Sequence, residues 1–407
     1  GTLDFNALVD ITGAVLDLGD DSTVNFNDVL IGDFEYGGGS LTLGSDYEGT
    51  ISVSKVSGKI TLHDGVNIIT GGVDNISGTP NSATLTLKGS SVIDGAIGGT
   101  SPLASVSIFN KAASVDKFGG VFNSKTLILG ANSGTATFVG AAKINDAVTV
   151  TADTQNLIFN AGVTLSNGAN FAGYNSTVTL DSALDSTFSG ALTTSTNNTG
   201  NLVVQGGKVT TITKAVGASG KSLSSITIQG ANTSAIFSEN VYGAVSLNDA
   251  SMTVADGKSV NGAVDNVSAN GTTSLTLLGA STVSGAVGIT NPLSSVTAAQ
   301  GKTVTFSSTV AADKVYVGSG MVNFNGTVTG NVDIASNGAI IKLAAGKNIT
   351  GDIDNTTDNA DQGTLTILGT SAIGGNIGSS NALATISAGV ANTTTTFSGN
   401  VNAATIS

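Results

Sequence analysis

The sequence predicts an all-β fold, a parallel β-helix (β-solenoid), and three observations carry that prediction. Segments of the chain repeat. Inside each repeat, aliphatic residues alternate with Thr or Ser. The 407 residues include 55 Gly but only 3 Pro, with no Cys and no Trp. Gly, Asn, Asp and Ser therefore supply the breaks between short β-like runs, and no disulfide can staple them. Helix formers are scarce: the only Glu residues are Glu35, Glu48 and Glu239, and all 15 basic residues are Lys. That leaves little from which to build amphipathic helices.

The repeats come first in the reasoning, because a solenoid is recognised by them. Three blocks align closely, starting at Gly71 (GGVDNISGTPNSATLTLKGSSVIDGAIGG), Gly262 (GAVDNVSANGTTSLTLLGASTVSGAVG) and Gly351 (GDIDNTTDNADQGTLTILGTSAIGGNIG). A weaker copy starts at Gly190 (GALTTSTNNTGNLVVQGGKVTTITKAVG). Equivalent glycines fall at Gly98, Gly217, Gly288 and Gly378, and equivalent aromatics at Phe118, Phe237, Phe306 and Phe397. The modules thus occupy residues near 71–121, 190–241, 262–310 and 351–401 of one continuous solenoid over 1–407. Residues 1–70 are acidic and less repeat-like.

Within a module the period is 2. In SATLTLKG (Ser82–Gly89), TSLTLLG (Thr273–Gly279) and GTLTILG (Gly363–Gly369) the aliphatics fall on one face and the Thr residues on the other. Uneven module spacing favours a solenoid over a sandwich or barrel, since inserts can leave the stack of coils undisturbed. An aromatic content of 5% suits a narrow core of small aliphatics. At roughly 20 residues per coil and a rise near 4.8 Å, the expectation is about 20 coils and a rod of roughly 95 Å.

Charge excludes some functions. The formal net charge of −13 and the absence of Arg argue against nucleic acid as a partner. No apolar run approaches the ~18 residues of a membrane helix. No signal peptide is visible, and the chain reads as a fragment of a longer protein.

The phrases GDIDNTTDNADQGTLTILGTSAIGGNIGSSNALATISA and GNVDIASNGAIIKLAAGKNITGDIDN resemble passenger repeats of rickettsial surface antigens, the large autotransporters of the outer membrane protein A and B type. The resemblance is strongest over Gly262–Ser407 and Gly71–Ile108. It implies a secreted β-helical passenger at the bacterial cell surface, with roles in adhesion and in a surface coat. Expected partners are a host-cell receptor or neighbouring copies of the surface protein. Membrane attachment would come through regions outside this chain. The resemblance brings no catalytic residues with it.

No catalytic, cofactor-binding or metal residue is assigned. His63 is the only His, so neither a typical zinc site nor a hydrolase triad is expected, and it reads as an exposed strand or turn residue. A glycan-degrading β-helix would need a carboxylate pair about 5–9.5 Å apart. Asp20 with Asp21, or Asp352 with Asp354 on a shared strand face, are the candidates. The second pair aligns with Gly72 and Asp74 and with Ala263 and Asp265, so it is not a repeated site, and aromatic sugar platforms are scarce.

The recurring Asp74–Asn75, Asp265–Asn266 and Asp354–Asn355 read either as turns, the preferred reading, or as calcium ligands. The acidic stretch LDLGDDSTVNFNDVLIGDFEYGG (16–38) reads as a solvated surface, with a calcium-stabilised edge as the alternative. The expectation is a non-enzymatic displayed rod. The rivals are a laterally assembling coat subunit, with calcium as a possible bridge, and a glycan-degrading enzyme.

Overall fold

The computed structural model describes residues 1–12, 14–16 (as backbone), 22–268, 272–298 and 301–407. The fold is all-β: parallel strands stack as a β-solenoid of about 19 turns, against the roughly 20 expected. No helix occurs among the described residues. The strands group into two compact units, Gly1–Thr210 and Thr211–Ser407, with the boundary inside the weak 190–241 module.

In the first unit a coil is built from three short strands. Ser40–Leu43, Tyr47–Glu48 and Ile51–Val53 make one such coil. Each strand pairs in parallel with its counterpart in the coil before and the coil after. Alternation decides what enters the core. Leu41 and Leu43 point in, while Ser40 and Thr42 stay partly exposed. Register then aligns the inward residues into a ladder running Val24, Leu41, Ile60, Leu85, Val106, Leu127. Burying an aliphatic side chain of this kind contributes about 1.5–3 kcal/mol, so the ladder is the main stabilising element.

Coil length varies without loss of register. Thr23 pairs with Ser40, 17 residues on, whereas Lys59 pairs with Thr84, 25 residues on. The difference is absorbed in the loops. Aromatics also enter the core as ladders. Phe118, Phe138 and Phe159 are register partners, and their rings stack with centroids 5.1 and 4.8 Å apart. The sparse Phe residues thus concentrate inside, where offset stacking adds to burial.

The second unit repeats the plan. Gly320–Phe324 pairs with Lys302–Phe306 and Ala339–Leu343, and Val328–Ile334 pairs with Val310–Val317 and Ile353–Asn355. One inward ladder runs Val304, Val322, Ile341, Leu365, Ile386. Phe306 stacks on Phe324 at 5.6 Å. Phe118, Phe237 and Phe306, the aromatics of three aligned modules, are fully buried, and Phe397 is half-buried.

The equivalent glycines mark one corner of the coil. Gly98, Gly217, Gly288 and Gly378 all have φ between 62° and 71°. A Cβ at these positions would strike the carbonyl oxygen of Asn123, Tyr242, Ala311 or Asn402 in the following coil. Left-handed backbone and close approach both demand Gly there.

Candidate functional site

The most regular polar feature is the Asp-Asn pair. It lies within strands Val73–Asn75, Val264–Asn266 and Ile353–Asn355, so the turn reading is corrected in part. Alternation sends Asp outward and Asn inward. The Asp74 carboxylate accepts bonds from the Thr100 N–H (2.8 Å) and hydroxyl (2.5 Å), 26 residues on. Asp265 does the same with Thr290 (2.8 and 2.6 Å), and Asp354 with Ser380 (2.9 and 2.5 Å). Each carboxylate ties its coil to the next one.

The Asn residues are buried and well satisfied. The Asn75 amide donates to the Thr79 and Pro102 carbonyls, both at 3.0 Å. Its Oδ1 accepts from the N–H of Ser77, two residues on, and from the hydroxyls of Ser77 and Ser82. Asn355 repeats this with Asn359, Ala382 and Thr357, and Asn266 with Pro292 and Ser268. The bond to residue i+2 is the side-chain turn expected of Asn. The bond to the next coil is the added finding. In the weak module Thr194 takes the place of Asn75: it is buried, and its hydroxyl accepts from the Thr196 N–H. Gln155 does similar work elsewhere, donating to the Gly130 and Asn132 carbonyls at 2.7 Å.

Of the candidate catalytic pairs, Asp352 with Asp354 lies within the described residues. Asp352 sits just before the strand Ile353–Asn355 and not on it, correcting the shared-strand expectation. Its carboxylate accepts the Asn376 N–H at 2.6 Å, so both members of the pair are engaged with following coils. Asp20 and Asp21 lie outside the described residues, as does Asp17 of the acidic stretch. Within the described part of that stretch, Asp33 accepts the Thr50 N–H at 2.6 Å. His63 is exposed, directly after strand Lys59–Leu62. Among the described residues, no group of three or more His, Asp or Glu side chains is placed to hold a metal ion.

A polar notch in the second unit escaped sequence reasoning. The paired strands Ser225–Phe237 and Val245–Val254 slip register between Gln229 and Thr233. Asn232 and Asp249 turn left-handed beside the slip. The result is a concavity of about 240 Å³, lined by Asn232, Asp249 and hydroxyls that include Ser251, Thr273, Ser274 and Ser295. Asp249 accepts from the Thr272 N–H and hydroxyl at 2.9 and 3.1 Å. The buried Thr273 hydroxyl has no partner. This lining offers hydrogen bonds to a polar ligand. The one legible signal was GAN (230–232) interrupting a β-like run.

Among the described residues, two carboxylates, Asp116 and Asp333, are buried. Asp333 forms an ion pair with Lys314 at 3.0 Å, which holds the ammonium above its ordinary range. Asp116 is fully buried with no cation bonded to it, and burial pushes its carboxyl up to about 7. The Tyr36 and Tyr47 hydroxyls are likewise raised by burial.

No family model matches the chain, and no solved structure matches it. A curated relative is found in outer membrane protein A of Rickettsia rickettsii, 28% identical over 366 residues. The match covers 80% of this chain but only 15% of that protein. The chain is thus distantly related to a segment of a rickettsial outer membrane protein.

Proposed function

We propose that the chain is a non-enzymatic segment of a bacterial surface protein, displayed as a β-solenoid passenger of the autotransporter type and contacting host cells through its outward Ser, Thr and Asn faces. One observation carries this reading. The repeated polar positions, Asp74–Asn75 and their copies, are spent on joining coil to coil. A chain that invests its recurring carboxylates in its own stack is organised for stiffness and display. The relationship to a rickettsial outer membrane protein supports placement at the cell surface. Attachment to the membrane falls to regions beyond this chain.

Competition tests the adhesive part. Purified chain is added at saturating dose to host-cell monolayers before whole bacteria. Reduced bacterial attachment is expected, and unchanged attachment removes the adhesive role. Calcium enters only as a bridge between copies, which belongs to the coat alternative. Regular arrays that form with calcium and disperse with chelator, seen by electron microscopy, would replace host contact with lateral assembly. Release of reducing ends from a polysaccharide would overturn the non-enzymatic reading.

A further inference from the structure

The coil containing Asp116 is built unlike its siblings. Strand Ser114–Phe118 has the burial alternation that turns Ser114, Asp116 and Phe118 inward and Val115 and Lys117 outward. Asp116 lies between Ser91 of the preceding coil and Ala136 of the following one. One carboxylate oxygen accepts the Ser91 N–H at 3.2 Å. The other has no partner, and neither has the buried Ser91 hydroxyl. In the aligned module of the second unit, Ser281 occupies the place of Ser91, and its register partner is the fully buried Val304. A carboxylate therefore stands where a sibling coil carries a valine.

The surroundings favour the neutral form. Ala136 offers no side-chain donor. Asp64 adds a like charge, and Lys111, the nearby cation, is bonded to Asp64. Asp94 follows strand Ser91–Ile93, and Lys117 points out from Asp116's own strand. The backbone N–H groups of Ser91 and Phe109 are the donors that favour the anion, and burial outweighs them. Phe109 is fully buried with φ +60°, a strained conformation for an aromatic residue.

We propose that the paired strands Ser91–Ile93 and Ser114–Phe118 of two adjacent coils form a pH-operated opening point: the pair stays closed while Asp116 is protonated and opens locally once Asp116 ionises. The sign follows from linkage. The folded carboxyl takes up its proton at about 7, while the unfolded one does so at 3.8. Between these values the closed pair binds more protons than the open one, so opening grows as pH rises. One proton sets the limit at about tenfold per pH unit. The effect levels off above about 7.

Hydrogen exchange on the full chain between about pH 5 and pH 8, corrected for the chemical exchange rate, reads this directly. Amides of Ser91–Ile93 and Ser114–Phe118 are expected to lose protection by up to about tenfold per pH unit, while those of Lys302–Phe306 lose none. Asp116→Val, the sibling's residue, should flatten the dependence, and Asp116→Asn should do the same with little change of shape. A flat profile in the unmodified chain overturns the proposal. So does an unchanged slope in whichever variant folds.

Discussion

The segment from Val73 to Phe118 and the segment from Val264 to Phe306, each spanning adjacent coils, are two copies of one repeat, and they differ in an instructive way. Their latches agree almost atom for atom: Asp74 holds Thr100 as Asp265 holds Thr290, and Asn75 reaches Pro102 as Asn266 reaches Pro292. Gly98 and Gly288 make the same left-handed corner. The core lining between these fixed points diverges, with Asp116 in one and Val304 in the other. The stretch from Ile108 to Phe118 is also two residues longer than that from Ala298 to Phe306. Hydrogen bonds between coils are directional and fix geometry. The core ladder needs only inward groups of tolerable size, so it accepts more change.

The largest expected effect comes from breaking the shared corner. Gly288→Val places a branched residue at φ +68° and drives its Cβ into the Ala311 carbonyl. Both strain and collision oppose it, and a loss above about 3 kcal/mol is expected, with the second unit's urea midpoint falling accordingly. Gly285, three residues earlier, has no left-handed φ, but its Cβ would meet the backbone of Ala263, so the pair separates strain from collision. Equal losses at both would assign the requirement to close approach alone.

Next in size is Phe138→Ala. This ring stacks between Phe118 and Phe159 and meets Phe122 edge-on at 4.9 Å. Removing it should cost about 3–5 kcal/mol. Phe324→Ala, with one stacked neighbour in Phe306, should cost less than Phe138→Ala. Equal losses would mean that area buried, and not stacking, sets the value.

The latch can be divided between its halves. Asn355→Ala removes a buried amide together with its bonds to the Asn359 and Ala382 carbonyls and from the Thr357 N–H and hydroxyl, for a loss of about 1–3 kcal/mol. Asp354→Ala removes bonds from the solvent-facing half, where water replaces them, and should cost about 1 kcal/mol or less. Chemical unfolding of both variants decides the order, and a larger loss at Asp354 would reverse the assignment of buried and exposed halves.

Much of this comparison could be read before the structure. The alternation in SATLTLKG put Leu85 and Leu87 inside and Thr84 and Thr86 outside, as found. The aligned Gly98, Gly288 and Phe118, Phe306 pointed to repeated backbone and core positions. Asp74–Asn75 stood out as a repeat, but its partners lie 26 and 27 residues away, a distance that loop length alone leaves undetermined. Asp116 was illegible for a sharper reason. In Ser-Val-Asp-Lys-Phe, Val115 is the natural inward residue. Phe118 sets the parity, because it pairs in register with Phe138, and that forces Val115 out and Asp116 in. The notch stayed hidden because a register slip belongs to the pairing of two strands and is written in neither alone.

The smallest effect, that of Lys111→Ala at an exposed ion pair, belongs to a test of whether two carboxylates near one another move stability in opposite directions with pH. Asp64 is exposed, and bonds from Lys111 and the Ser90 N–H hold its carboxyl below the usual 3.8. Its contribution is present above that value and lost as pH falls through the lowered one. Asp116 works the other way, its cost appearing as pH rises from 3.8 toward about 7. Stability of the first unit should therefore peak on the acid side of neutrality. Lys111→Ala should weaken the loss on the acid side and leave the loss toward neutral pH in place, because Lys111 bonds to Asp64 and makes no bond to Asp116. Asp116→Asn should remove the loss toward neutral pH and leave the acid side unchanged. A Lys111→Ala profile that shifts both sides equally would show that the ammonium also compensates Asp116 through space, joining the two carboxylates into one titrating unit.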